Sequence, residues 1–140
     1  PPDHLVMQYL LDTNTCIAAM KNHPSVVARM SAAGPAACVV STITIYELYT
    51  GVEKCADPTR ERSKVSRLLA SINELTFDSR AAKEAANLRA QLEAQGQMIG
   101  PYDVLLAGHA KTAALRLVTH NTAEFARVPG LPLDDWQVGP

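Results

Sequence analysis

Short apolar runs alternate along this chain with longer stretches of helical spacing. Tyr9-Leu10-Leu11, with Val6 and Met7 ahead of it, stops abruptly at Asp12-Thr13-Asn14. That is the pattern of a buried strand feeding a helix start, and the helix is expected over Thr15 to Met20. Pro24 opens a second helix with Val27 and Met30 on one face, and Gly34-Pro35 stops it. Ala37 to Ser41 reads as another short buried strand. Thr42 to Lys54 carries Ile45, Leu48 and Val52 at helical spacing, and Asp57-Pro58 starts a helix with Val65, Leu68, Leu69 and Ile72. Leu75-Thr76-Phe77 reads as a brief strand. Asp78 is a good N-cap for the stripe Ala81, Ala85, Leu88 and Leu92, which Gly96 closes. Pro101 begins a helix running to about Ala113, Leu115 to Thr119 reads as a strand, and Leu131 to Trp136 holds a last short one. Strands that alternate with helices predict an α/β fold, a parallel sheet wrapped in helices.

Length and composition narrow this picture. A chain of 140 residues with 47% hydrophobic content supports one core and one domain. The domain is placed at 9–140, with residues 1–8 as an N-terminal extension. No apolar run approaches the roughly eighteen residues of a membrane span, so a soluble, cytoplasmic protein is expected. Cys16, Cys38 and Cys55 form no metal-ligand spacing and read as idle thiols. The net charge of -1 offers no global attraction to nucleic acid. Lys54, Arg60, Arg62, Lys64 and Arg67 crowd one segment, but Glu53, Asp57 and Glu61 interleave with them, the pattern of a solvated helix face.

Three acids stand beside apolar residues at strand-to-helix or loop-to-helix junctions: Asp12, Glu47 and Asp103. Each has a structural role open to it. Asp12 can cap the helix after Leu11, Glu47 lies three residues after Thr44 in capping-box spacing, and Asp103 sits in a first helical turn where the dipole favours a carboxylate. Topology adds a second role. In a parallel sheet with right-handed crossovers, the helices leading to the next strand start near one edge, so all three acids share that rim. Asn121, just past the strand ending at Thr119, and Glu124 join them. Gathered carboxylates repel one another unless a cation is present, and oxygen-only ligands favour Mg²⁺ or Mn²⁺.

Four segments carry a family resemblance. Tyr9 to Asn14 resembles the opening motif of PIN-domain nucleases, particularly the VapC-type toxins of type II toxin–antitoxin systems. Ser41 to Leu48 with Gly51-Val52-Glu53-Lys54, Ile99 to Ala107 with His109-Ala110, and Leu117 to Phe125 with Val128-Pro129-Gly130-Leu131 and Trp136 resemble the second, third and fourth motifs, in the family's order. The resemblance implies a three-layer α/β/α sandwich with a central parallel sheet of four to five strands. It further implies a Mg²⁺-dependent endoribonuclease, with Mn²⁺ as a substitute ion, whose metal carboxylates carry over onto Asp12, Glu47 and Asp103. The family's fourth position is often an aspartate where this chain has Asn121. Since an amide holds a divalent ion more weakly, a second ion is expected to be loosely held, with Glu124 as a compensating carboxylate or a cap. Thr13 and Thr119 are auxiliary positions. The implied reaction is water attack on an RNA phosphodiester, leaving a 5′ phosphate and a 3′ hydroxyl. The implied substrate is tRNA, and the implied partners are a VapB-like antitoxin and a second copy in a homodimer.

Competing classes lack their residues. His4, His23, His109 and His120 share no ligand spacing; His109 reads as a partly buried helix residue and His120 as a surface one. A haloacid-dehalogenase-like phosphatase needs a second aspartate where Asn14 stands, and a receiver domain needs paired acids near its first strand. A PIN-like binding module without catalysis is the serious alternative, because Asn121 weakens the acid set.

Overall fold

The computed structural model describes residues 7–138. Five strands, β1 (Tyr9–Leu11), β2 (Cys38–Ser41), β3 (Asn73–Leu75), β4 (Arg116–Val118) and β5 (Leu133–Asp134), form one sheet in the order β3-β2-β1-β4-β5. Every pairing is parallel, with Leu10 in register with Val39 on one side and Leu117 on the other. Seven helices surround it: α1 (Thr13–Met20), α2 (Pro24–Ala33), α3 (Thr42–Lys54), α4 (Pro58–Ser71), α5 (Ser79–Ala94), α6 (Pro101–Ala113) and α7 (Thr122–Phe125).

The two-residue period of the strands separates two cores. Leu10, Val39 and Leu117 face α5 and α6 through Leu88, Leu92, Val104 and Ala107. Their neighbours Leu11, Val40 and Val118 face α1 to α4 through Cys16, Val26, Leu48, Val52 and Val65. The expected three-layer α/β/α sandwich is therefore present, with five strands. Side chains start five of its helices: Asp12, His23, Ser41, Asp57 and Asp78 accept from the backbone N–H groups of Thr15, Val26, Ile43, Arg60 and Ala81.

Several boundaries move from their predicted places. Helix α1 begins at Thr13 rather than Thr15, because Asp12 itself is the cap. In α2 the buried residue is Val26, while Val27 is 42% exposed. Strand β3 lies at Asn73–Leu75 rather than Leu75–Phe77, an edge strand held by backbone pairing to β2. Gln8 N–H donates to Ala37 O and Gln8 O accepts from Arg116 N–H, both at 2.9 Å, so the sheet's bonding starts before Tyr9. Residues 1–6 of the predicted extension, including Val6 and His4, lie outside the described residues. The basic segment is a solvated helix face as expected, with Arg62 paired to Glu53 at 3.1 Å and Lys64 to Glu61 at 3.4 Å. All three cysteines are free, and burial pushes the Cys38 thiol up to about 11. Among the described residues no helix is long and apolar enough to cross a membrane.

Candidate functional site

Because all strands run parallel, the segments that leave β1, β2 and β4 emerge along one edge of the sheet. Asp12 follows β1 directly. Its backbone N–H donates to Val118 O on β4 at 3.1 Å, and its Oδ1 accepts from Thr15 N–H at 2.8 Å. The side chain is thus buried, 6% exposed, and held by the helix it caps. Thr15 Oγ1 bonds back to Val118 O at 3.2 Å and pins that first turn to the sheet.

Glu47 arrives from the second turn of α3. The capping-box expectation for it fails: Ser41 caps α3, while Thr44 is buried with no hydrogen-bond partner for its hydroxyl. Glu47 Oε1 instead accepts from Thr13 Oγ1 at 2.7 Å, which brings the first turn of α1 and the middle of α3 together. Asp103 lies in the first turn of α6, as predicted. Glu124, in α7, accepts from Gly100 N–H at 2.6 Å and so caps α6 rather than its own helix, and it also takes a hydrogen bond from the Asn121 amide. Asn121 is exposed at the start of α7, where its N–H donates to the buried Thr119 hydroxyl at 2.9 Å.

Electrostatics ties these groups into one site. The Asp103 carboxyl is raised to about 6, first by burial, then by the charge of Glu124 and a hydrogen bond with it, and further by the charges of Asp12 and Glu47. The charges of Glu124, Asp12 and Glu47, from α7, the β1 end and α3, therefore all bear on Asp103 in α6. Among the described residues no three His, Cys, Asp or Glu side chains are already set as metal ligands. The reason is visible in their partners: Asp12 is turned to Thr15 N–H, Glu47 to Thr13 and Glu124 to Gly100. The donor chemistry nevertheless fits a hard divalent cation, because the oxygens are anionic and the repulsion at Asp103 is what such a charge relieves.

Two tyrosines at this rim have no counterpart in the sequence reading. Tyr46 and Tyr102 precede Glu47 and Asp103, and their hydroxyls meet at 3.3 Å with ring centroids 5.6 Å apart. Both rings are exposed. The signal available in the sequence was an aromatic next to each of two candidate acids. His109, in contrast, is buried against Ser41 Oγ at 3.0 Å and Phe77, its pKa lowered by burial. His120 is a surface side chain bonded to Asp135 at 2.9 Å.

Comparison with known proteins agrees with the architecture. The PIN domain profile matches residues 9–131. The chain is 37% identical over 131 residues to the tRNA(fMet)-specific endonuclease VapC of Salmonella typhimurium, covering 94% of this chain and 99% of that one. It is 35% identical over 132 residues to ribonuclease VapC2 of Haemophilus influenzae, covering 94% and 99%. A crystal structure of DNA-bound VapBC from Salmonella typhimurium superposes with a TM-score of 0.89 at 37% identity, over 94% of this chain and 99% of the other. With its fold, its motif order and these relatives in agreement, the chain belongs to the PIN-domain family, in its VapC group.

Proposed function

We propose that this protein is a Mg²⁺-dependent endoribonuclease, the toxin of a toxin–antitoxin pair, acting on tRNA. The observation that carries the reading is the placement of Asp12, Glu47, Asp103 and Glu124 along one sheet edge, with Asp103 raised first by burial and then by the charges of the other three. Nuclease chemistry and antitoxin control are supported by relatives named as ribonucleases and solved as VapBC complexes. The tRNA target is supported by the name of the Salmonella relative. Action in the cytoplasm, as a homodimer, belongs to the same proposal.

Asp12, Glu47 and Asp103 would hold the cation, with Mn²⁺ able to replace Mg²⁺. When bound, the ion supplies positive charge to the scissile phosphate and acidifies a water molecule. The chain's own side chains supply position. Thr13 fixes the Glu47 carboxylate, and Thr15 N–H fixes that of Asp12. Glu124, oriented by Asn121, holds the turn that carries Asp103. Thr119 holds the backbone of Asn121. The exposed Tyr46 and Tyr102 rings offer faces on which unpaired bases stack, which suits a loop of tRNA.

The test is cleavage of tRNA by the purified protein with Mg²⁺, with EDTA, and with Asp12→Asn. Asparagine caps a helix as well as aspartate does, so the variant keeps its fold. Loss of cleavage in EDTA and in the variant supports the reading. Undiminished cutting by folded Asp12→Asn overturns the carboxylate assignment, and RNA binding without any cleavage identifies a binding module instead.

A further inference from the structure

A groove of about 630 Å³ adjoins the acid cluster on the side of α1 and α7. Its walls differ from the cluster in chemistry. Lys21, His23 and His120 line it, together with the amides of Asn14, Asn121 and Gln137, over a floor of Ile17 and Ala18. None of these lining residues is a carboxylate. Asn14 lies two residues beyond Asp12, and the Asn121 amide holds Glu124, so groove and acids share a border.

Local geometry builds this wall deliberately. Asn22 adopts φ 59°, a left-handed conformation that asparagine tolerates, and the turn it makes between α1 and α2 lets Lys21 and His23 line the same groove. His23 Nδ1 accepts from Val26 N–H at 3.4 Å, which leaves Nε2 as the ring's N–H donor. His120 Nδ1 lies 2.9 Å from Asp135, and a carboxylate only accepts, so Nδ1 carries the proton and the neutral ring's Nε2 is an acceptor. The other Asp135 oxygen is taken by Gln137 N–H at 2.9 Å, which fixes the dyad. The groove therefore offers an ammonium and an imidazole N–H to an anion, an imidazole acceptor to a hydroxyl, and three amides to a base edge.

Resting on the nuclease reading above, we infer that this groove binds the RNA nucleotide next to the scissile phosphate. Its phosphate sits on Lys21 and His23, and its ribose hydroxyl donates to His120. A chain of phosphates approaching four carboxylates needs a counterweight, and Lys21 and His23 supply it beside the acids in a chain whose net charge is -1. The 2′ hydroxyl contact also favours RNA over DNA.

The experiment uses ¹⁵N-labelled Asp12→Asn protein with Mg²⁺, titrated with single-stranded oligouridine, with the matching deoxyribonucleotide and with polyglutamate. Wild-type cleavage of tRNA is followed alongside. Oligouridine should shift the amides of Asn14, Lys21, His23, His120 and Gln137 more strongly than its deoxy counterpart. Lys21→Glu should weaken binding about tenfold and flatten the salt dependence by about 0.7 per lost phosphate contact. In the wild-type background His120→Gln should raise KM for RNA more than it lowers kcat. If oligouridine leaves these amides unmoved, or Lys21→Glu binds normally, while EDTA-sensitive cleavage persists, the groove assignment falls and the nuclease reading stands. Groove binding without cleavage does the reverse. Shifts with polyglutamate alone overturn the assignment in favour of an acidic protein segment.

Discussion

The Thr13 hydroxyl donates to Glu47 Oε1 at 2.7 Å, joining residues from two helices at the edge of the sheet. Hydrogen bonds to a charged acceptor hold geometry better than neutral ones. Thr13→Val removes the donor at nearly constant volume. Its expected cost is about 1 kcal/mol in stability, with partial solvent exposure reducing the full charged-bond value. Its expected effect on tRNA cleavage is a fall in kcat of about tenfold, in keeping with a small misplacement of a catalytic group. Glu47→Gln keeps an acceptor for Thr13, so it should melt like the parent and yet lose far more activity. Thermal melts with single-turnover cleavage separate the two roles.

Asp103 gives a pH dependence whose sign is fixed. Its folded-state pKa, about 6, lies above the usual 3.8, so the fold prefers the protonated acid. The stability this contributes is fully present below about pH 4 and is lost as pH rises through 6. Asp103→Asn should therefore stabilise the metal-free protein at pH 7 by about 1 kcal/mol, well under the full value of the shift because the carboxylate is partly exposed to screening water. The same variant should lose cleavage. Mg²⁺ should raise the melting temperature of the parent more than that of the variant, and equal shifts would remove Asp103 from the ligand set.

Gly108 packs α6 onto α5 at a distance only glycine allows. A Cβ there would lie 2.6 Å from Ala85 N and 2.7 Å from Ala85 Cα. Backbone cannot swing aside as a side-chain tip can, so Gly108→Ala should cost about 1–3 kcal/mol in urea denaturation. Because α6 also carries Asp103, activity should fall with it. Ala85→Gly should fail to rescue, since the backbone nitrogen remains in the way.

The resemblance expects a carboxylate near position 121, where this chain has Asn121. Asn121→Asp replaces the amide donor facing Glu124 with a second negative charge. Like charges repel without a cation, so the metal-free variant should melt lower than the parent. Added ligand charge should tighten Mg²⁺ binding about tenfold, read by calorimetry. Unchanged affinity would show that position 121 stands outside the metal's reach.

The sequence carried the fold where periodicity was strong. Leu10-Leu11, Val39-Val40 and Leu117-Val118 each send one residue to either core, and the strands buried on both faces were legible from such runs. Strand β3 was not, because Asn73-Glu74-Leu75 sits at the sheet edge and is held by backbone bonds that leave little hydrophobic trace. Val26 and Val27 are adjacent, and pairing Val27 with Met30 chose the wrong phase for α2, where Val26 is buried and shares the core with Met30. Glu47 imitated a capping box because Thr44 stands three residues before it, yet α3 starts after Ser41 and leaves Glu47 free for Thr13. The shared sheet edge of Asp12, Glu47 and Asp103 was readable from topology. The groove of Lys21, His23 and His120 was not, since it depends on one left-handed residue and on side chains far apart in sequence.

The central place of β1 sets a timetable for synthesis. This three-residue strand precedes the other four along the chain, yet its second neighbour, β4, spans Arg116–Val118. A nascent chain still short of that segment holds Asp12 on a strand with one unpaired side and has only just made α6. Long-range pairing of this kind closes late in folding. The sheet edge that carries the carboxylates is thus completed only once Arg116–Val118 is available to pair with β1.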